Sequence, residues 1–188
     1  MKCFFCTLLF MGLLTGCNKD YTSKDLQTFN LYGKVKSVTT FRLMNVDDIH
    51  DDRFGTTWNF DITGMLSTSE VFIERDDEGY ISTVKYDDFG GFGFKYDNNH
   101  NVIEQYNWDT STLRECPIKS DKKKNPIESE QYGEISKEEG ASPEATLKYE
   151  YLSMDAKGNW TLRKVTYTDL YGYENARTWY EKRVVKYY

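Results

Sequence analysis

The chain has 188 residues, 30 acidic and 24 basic, and a formal charge of −6. This acidic balance argues against nucleic acid as a partner and against adhesion to anionic lipid by charge, because both need a basic surface. Aromatic residues make up 16% of the chain, with 15 tyrosines among them, and this composition favours pleated strands over helices.

The first segment has the order of a secretory signal. Lys2 is followed by an apolar run, Phe4–Leu14, that is too short for a membrane-spanning helix of about 20 residues. The next phrase, Leu-Thr-Gly-Cys at Leu14–Cys17, resembles the lipobox of bacterial lipoproteins. In that class the signal is cut before the cysteine, whose thiol and new amino group are acylated. The resemblance therefore implies that Cys17 carries the lipid.

The same resemblance divides the chain into three parts. We expect a lipoprotein signal peptide at 1–16, the lipidated cysteine with a polar tether at 17–26, and a single all-β repeat-like domain at 27–188. Asn18 stands where aspartate is the usual signal for inner-membrane retention, so export to the outer membrane is favoured. Two or more acyl chains hold a protein stably on a membrane. The expected location is the bacterial cell envelope, with a lipid anchor in the outer membrane.

One unit recurs through the rest of the chain. A strand with alternating apolar residues leads to a turn that holds Asp, Asn or Gly, and a second alternating strand follows. Alternation places one set of side chains on a buried face, and Gly or Asn supplies the positive φ of a tight turn. In chain order the turns lie at Thr63-Gly64, Asp76–Gly79, Asp97–Asn101, Ser120–Pro126 and Asp155–Asn159.

These hairpins predict one antiparallel sheet. The first hairpin is expected to join Trp58–Asp61 to Met65–Phe72, while Leu31–Val38 begins the sheet and Thr178–Tyr188 ends it. Because one hairpin is not stable alone in water, successive hairpins must share a buried face. The predicted fold is therefore all-β, a meander of hairpins curled over one core, with few or no helices.

Short phrases in these hairpins resemble known families. Aromatic-Asp pairs at Tyr86-Asp87 and Tyr96-Asp97, and the phrase Asp155–Thr161 with its Gly-Asn turn, resemble the Rhs/YD-repeat pattern. The whole mature chain is similar to a group of small lipoproteins of diderm gut bacteria, through Gly33–Val38, Gly158–Thr161 and Arg177–Tyr188. The resemblance implies an antiparallel β fold and an envelope location. It implies no established chemistry and no catalytic residues.

Two polar clusters are candidates for a metal site. Asp47–Asp52 has the carboxylates that calcium prefers but not the alternating spacing, and a solvated loop explains it as well. Asp97–Asn101 matches the first three ligand positions of an EF-hand loop, yet Val102 stands where glycine is needed. A hairpin turn explains the same residues. We therefore predict no metal site and no cofactor.

Catalysis is not predicted either. The two histidines, His50 and His100, lie in predicted turns outside any recognisable motif. A carboxylate pair for glycoside hydrolysis stays open as an alternative, because the many acidic residues allow one. We expect a protein that is not an enzyme, with a polysaccharide hydrolase as the enzymatic alternative.

The aromatic residues are more numerous than one buried face requires. Exposed rings stack on the apolar faces of sugars and dock peptides, so the remaining rings predict a binding surface. The candidates for ligand binding are Tyr86, Tyr96, Tyr106, Trp108, Tyr171 and Tyr173. The other interpretation is cross-strand pairing that stabilises the sheet. The sequence thus predicts a non-catalytic binding module for glycan or protein ligands, or alternatively a structural protein that assembles within the envelope.

Overall fold

The described part of the chain is almost entirely β structure. The computed structural model describes residues 23–45, 55–68, 71–86, 90–107, 113–133, 142–172 and 175–188. It has one short helix, α1 (Lys24–Thr28), and one antiparallel sheet. The strands are β1 (Val35–Leu43), β2 (Gly55–Asn59), β3 (Phe72–Arg75), β4 (Ile81–Lys85), β5 (Gly91–Tyr96), β6 (Val102–Asn107), β7 (Leu113–Ser120), β8 (Pro126–Tyr132), β9 (Ala145–Met154), β10 (Trp160–Asp169) and β11 (Arg177–Tyr187). The all-β prediction is confirmed.

The strand order is a meander with one rearrangement. Strands β3 to β11 are neighbours in chain order, as successive hairpins predict, and β1 then pairs with β11. β2 lies beside β1 at one edge of the sheet, and β3 forms the other edge. The last strand is therefore paired on both sides, and the beginning of the domain is joined to its end.

The first predicted hairpin is present at its turn but is shorter than expected. Its two halves are joined by the bridge of Phe60 to Leu66, where Asp61 N–H donates to Met65 O and Ser67 N–H donates to Asn59 O, each at 2.8 Å, and β2 pairs with β1 along its other edge. The backbone N–H of Leu66 donates to the buried carboxylate of Asp25 at 2.6 Å. This N–H points away from Phe60, because Asp61 and Ser67 donate the hydrogen bonds between the two halves, so a side chain from another part of the chain satisfies it from outside the hairpin.

Five turns share one geometry, which explains the repeat seen in the sequence. In each, Oδ1 of an aspartate accepts hydrogen bonds from the backbone N–H groups two and four residues later, which stabilises the turn locally. The aspartates are Asp61, Asp76, Asp97, Asp121 and Asp155. The residue three positions after each aspartate has a positive φ. These residues are Gly64, Gly79, His100, Lys124 and Gly158.

The segment 23–32 covers the end of the sheet where these turns lie. Ser23 caps α1, because its Oγ accepts from the N–H of Leu26 at 3.1 Å. Each turn receives at least one hydrogen bond from the segment or donates one to it. The bonded pairs are Ser23 with Gly64, Lys24 with Glu78, Gln27 with His100, Asn30 with Asn125, and Tyr32 with Asn159. The segment therefore closes this end of the fold.

This packing corrects the predicted boundary at residue 26. Asp25 and Leu26 are completely buried, and Asp25 forms an ion pair with Arg75 at 2.5 Å. Residues 23–26 are consequently part of the domain and not of a polar tether. The rest of the predicted tether, the predicted signal peptide and Cys17 lie outside the described residues.

The sheet curls until strands far apart in its order meet. Trp58 on β2 contacts Phe92 on β5 edge to face, with ring centroids 5.2 Å apart, although the two strands are eight positions apart in the sheet. The larger core, which includes Leu26 and Leu31, lies on the inner side of this curl next to α1. A smaller cluster, Leu147 with Tyr149 and Val165, lies on β9 and β10. The concave face between these clusters positions the site described next.

Candidate binding cavity

A cavity of about 670 Å³ lies on the concave face of the sheet. This volume is within the range of small-molecule binding sites. One wall is aromatic, with Trp58, Phe92 and Phe94, and another is charged. Tyr86 lines the cavity and is 44% exposed, so the cavity reaches solvent at this residue.

The charged wall follows from strand register. Arg163 on β10 and Glu181 on β11 are direct partners in the antiparallel ladder, so both side chains share one face of the sheet. Arg183 is two residues beyond Glu181 and points to the same face because strand side chains alternate. Trp160 joins them because register shifts between Trp160 and Arg163 change the alternation on β10.

Arg163 contacts one carboxylate and two aromatic rings. Its Nε and Nη2 donate to the same oxygen of Glu181, at 2.7 and 2.6 Å. Its guanidinium carbon lies 4.4 Å from the ring centroids of both Trp160 and Tyr149. Burial alone would lower the pKa of Arg163, but Glu181 raises it above its usual range. The arginine therefore stays charged between two rings and a carboxylate.

Glu181 is held as a carboxylate by the same contacts. Burial acts to raise its pKa, but Arg163 lowers it, as does Trp179, whose Nε1 donates to Oε1 at 3.1 Å. Both carboxylate oxygens thus have a partner, one in the arginine and one in the indole.

Arg183 lacks such partners. Its guanidinium carbon lies 3.9 Å from the ring centroid of Trp160, but its Nε and Nη1 are buried and donate to no acceptor in the part of the chain that the structure describes. Burial, followed by the nearby positive charge of Arg163, lowers the pKa of Arg183 to about 9. Two guanidinium groups therefore share one carboxylate at this wall.

Two other carboxylates line the cavity, and both have partners. Glu115 accepts a hydrogen bond from the hydroxyl of Tyr149, and burial together with Glu115 raises the pKa of that tyrosine. Asp97 accepts from the N–H groups of Asn99 and Asn101 within its own turn. The EF-hand interpretation of this segment is thereby replaced by the hairpin turn.

The aromatic residues predicted to bind ligand lie in several different environments. Tyr86 lines the cavity and stacks on Trp58, with centroids 6.2 Å apart. Tyr96 belongs to the core, where its hydroxyl donates to the carbonyl of Ile81 at 2.7 Å. Its role there is to join strands and α1.

The other predicted aromatics lie away from the cavity or outside the described residues. Tyr106 pairs with Gly93 across the ladder, on the face opposite to Phe92 and Phe94, and its ring fills the space above the glycine. Tyr171 is 56% exposed in the connection after β10. Trp108 and Tyr173 are not among the described residues. Of the described predicted aromatics, Tyr86 is the one that lines the cavity.

The sequence reasoning missed Arg163, Glu181 and Arg183. Charged residues on a strand are usually taken as the solvent face, and here that assumption fails. One signal was available: these residues lie on strands near the end of the chain, and both strands pair on both sides. Because strand side chains alternate, the charged residues at 181 and 183 must face the same side of the sheet.

The described ranges contain neither a cluster of metal ligands nor a membrane-spanning helix. No group of three His, Cys, Asp or Glu side chains there is close enough to hold a metal ion. The Asp47–Asp52 cluster, including His50, lies outside those ranges. No helix in the described chain has both the length and the apolar character to span a membrane.

The sequence matches neither a family model nor a curated protein.

Proposed function

We propose that the protein is a lipid-anchored, non-catalytic binding module of the bacterial outer membrane that takes a glycan ligand in its concave cavity. The observation that carries the proposal is a cavity of about 670 Å³ with an aromatic wall on one side and hydrogen-bonding groups on the other. Sugars present apolar ring faces and hydroxyl edges, so their recognition needs both kinds of surface.

The shape of the site favours a glycan over a folded protein. A concave cavity buries most of a small ligand, whereas stable protein interfaces need about 800 Å² from each partner. Tyr86 and Trp58 offer ring surface beside the polar groups of Gln105 and Asn107, which face the same cavity. A sugar residue or the end of a glycan chain matches this combination.

Binding is tested with the full lipoprotein in detergent micelles. Isothermal titration against a panel of mono- and oligosaccharides should find a ligand, and Tyr86→Ala should weaken its binding by about tenfold, equivalent to the loss of about 1.4 kcal/mol. Tyr171→Ala is the matched control, because it removes another exposed tyrosine outside the cavity. A panel without any binder, or equal effects of the two variants, would contradict the proposal.

The lipid anchor has its own test. The Leu14–Cys17 phrase supports acylation of Cys17. Metabolic labelling with palmitate should mark the protein, and density-gradient fractionation should place it with the outer membrane. Cys17→Ala should lose the label and leave the membrane fraction. A labelled Cys17→Ala protein, or an unlabelled natural one, would count against the anchor.

The edge strand β3 favours a second function, assembly within the envelope. It pairs only with β4 in the described sheet, and its first residue, Phe72, is 65% exposed. An edge strand with an exposed apolar residue is a template for pairing with another chain. Chemical cross-linking in intact cells should then give oligomers that Phe72→Lys abolishes, whereas a monomer throughout would rule assembly out.

A further inference from the structure

The charged wall of the cavity has an excess of positive charge. Arg163 and Arg183 both lie against Trp160, and Glu181 is the carboxylate that faces them. Both carboxylate oxygens are already used, one by Arg163 and the other by Trp179. One positive charge is therefore left over at Arg183.

This surplus positive charge is associated with two nitrogen atoms of Arg183. Nε and Nη1 of Arg183 are buried and donate to no acceptor in the described residues, although a guanidinium offers five donors. A buried charge without a partner is strongly unfavourable unless a ligand or solvent compensates it. The same side chain borders a cavity with room for a small molecule. The arrangement is thus incomplete as a structural ion pair.

We infer that the ligand of this cavity is an acidic sugar, whose carboxylate or phosphate oxygens are bound by the guanidinium of Arg183. This inference rests on the proposed glycan-binding function and narrows its substrate class. A planar guanidinium matches two oxygens of either group, and the resulting charge-assisted hydrogen bonds are stronger than neutral ones.

Arg183 and not Arg163 is the ligand-binding residue. Arg163 already donates two hydrogen bonds to Glu181 and has an aromatic ring on two sides. Arg183 contacts one ring, that of Trp160, and its Nε and Nη1 donate to no acceptor in the described residues. The lowered pKa of Arg183, caused by burial and by Arg163, is the effect that a bound anion would reverse.

The test compares acidic and neutral sugars on the full lipoprotein in detergent micelles. Glucuronate, glucose 6-phosphate and glucose are titrated at constant ionic strength, with binding followed by calorimetry and by the melting temperature. We expect at least one acidic sugar to bind about tenfold more tightly than glucose, because hydrogen bonds to a charged group are stronger than neutral ones. The stronger of the two acids distinguishes a carboxylate ligand from a phosphate ligand.

Variants assign the effect to one side chain. Arg183→Met should remove the preference for the acid while the unliganded melting temperature stays equal or rises, because an unpartnered buried charge is gone. Arg183→Lys keeps the charge without the planar fork and should lose about tenfold in affinity for the acid. Arg114→Met is the control, since Arg114 lies over Tyr132 and does not line the cavity.

The possible failures are distinguishable. Equal binding of glucose and the two acids would overturn the inference and leave the glycan-binding function standing. Absence of binding by any sugar would overturn both. Loss of the acid preference in Arg114→Met as well would show a general charge effect, and retention of the preference in Arg183→Met would exclude Arg183 as its source.

Discussion

Asp25 shows how a single side chain holds distant parts of this fold together. Its carboxylate is completely buried, accepts from the N–H of Leu66 at 2.6 Å and pairs with two nitrogens of Arg75 at 2.5 and 2.9 Å. It links α1 to the segment after β2 and to β3. A buried carboxylate is tolerated only when it has such partners.

Asp25→Asn should destabilise the domain by about 3–5 kcal/mol, because it leaves the guanidinium of Arg75 without its charge partner. Urea denaturation followed by tryptophan fluorescence measures the loss. Asp77→Asn makes the same chemical change at an exposed turn position and should stay within about 0.5 kcal/mol of the natural protein. Similar losses in the two variants would show that the buried pair has no special role.

Glu181 makes stability depend on pH at the acidic end. Its pKa in the folded state is below the ordinary value of 4.5, because Arg163 and Trp179 outweigh the effect of burial. A carboxylate with a lowered folded-state pKa contributes stability that is complete above its unfolded pKa and is lost as pH falls through the folded one. The free energy of unfolding should therefore decrease below about pH 4.5.

Glu181→Gln should remove part of this decrease. The variant should be less stable at neutral pH, since Arg163 then loses its carboxylate partner, and its free energy of unfolding should vary less between about pH 5 and pH 3. Urea titrations at several pH values provide the measurement. A variant with the same pH profile as the natural protein would contradict the assigned role of Glu181.

At the scale of elements, the five Asp-based turns set the period of the sheet. Each aspartate closes its own turn through backbone N–H groups two and four residues away, so the turn is specified by residues that are neighbours in the chain. Glycine fills the positive-φ position in three of them, and His100 and Lys124 fill it in the other two. Residues other than glycine are strained at such positive φ angles.

Lys124→Gly should stabilise the domain by about 0.5–1 kcal/mol, because relief of the left-handed strain exceeds the added freedom of the unfolded chain. The reciprocal change, Gly158→Ala, imposes a Cβ at φ 90° and should destabilise it by about 1 kcal/mol or more. Thermal unfolding of the two variants gives the comparison. Shifts of the same sign would show that φ is not the controlling factor.

At the scale of the whole molecule, β1 and β11 join the two ends of the domain. β11 pairs with β10 on one side and with β1 on the other, and β2 is attached to the sheet through β1. The last residue also contributes, because the hydroxyl of Tyr188 donates to the carbonyl of Phe60 at 2.7 Å. The curl of the sheet, and hence the cavity, depends on this closure of the chain.

Deletion of residues 181–188 should therefore unfold the domain and not merely shorten it. The deletion removes most of the partner of β1, together with Glu181 and Arg183 of the charged wall. Far-UV circular dichroism should show loss of the β signal, and urea unfolding should lose its cooperative transition. A truncated protein with the natural spectrum and a cooperative transition would show that the β1–β11 pairing is dispensable.

The local hairpins were predictable from sequence, whereas their assembly was not. Asp76–Gly79 and Asp155–Asn159 carry their turn chemistry in four or five consecutive residues, and the strands on either side follow from alternation. The pairing of β2 with β1, and the packing of residues 23–26 against the turns, depend on residues far apart in the chain. No local pattern specifies such contacts.

Fold class and most strand positions follow from the amino-acid sequence, because turn formation and alternation are short-range effects. The inward orientation of Arg163, Glu181 and Arg183 depends on how the strands assemble into a curled sheet. In an isolated strand the two faces are equivalent, and the curl of the sheet makes one of them concave. The register shifts before Arg163 then set which side chains reach the cavity. The charged wall is thus a consequence of the β1–β11 pairing and of the curl of the sheet, and no single segment of the chain specifies either of them.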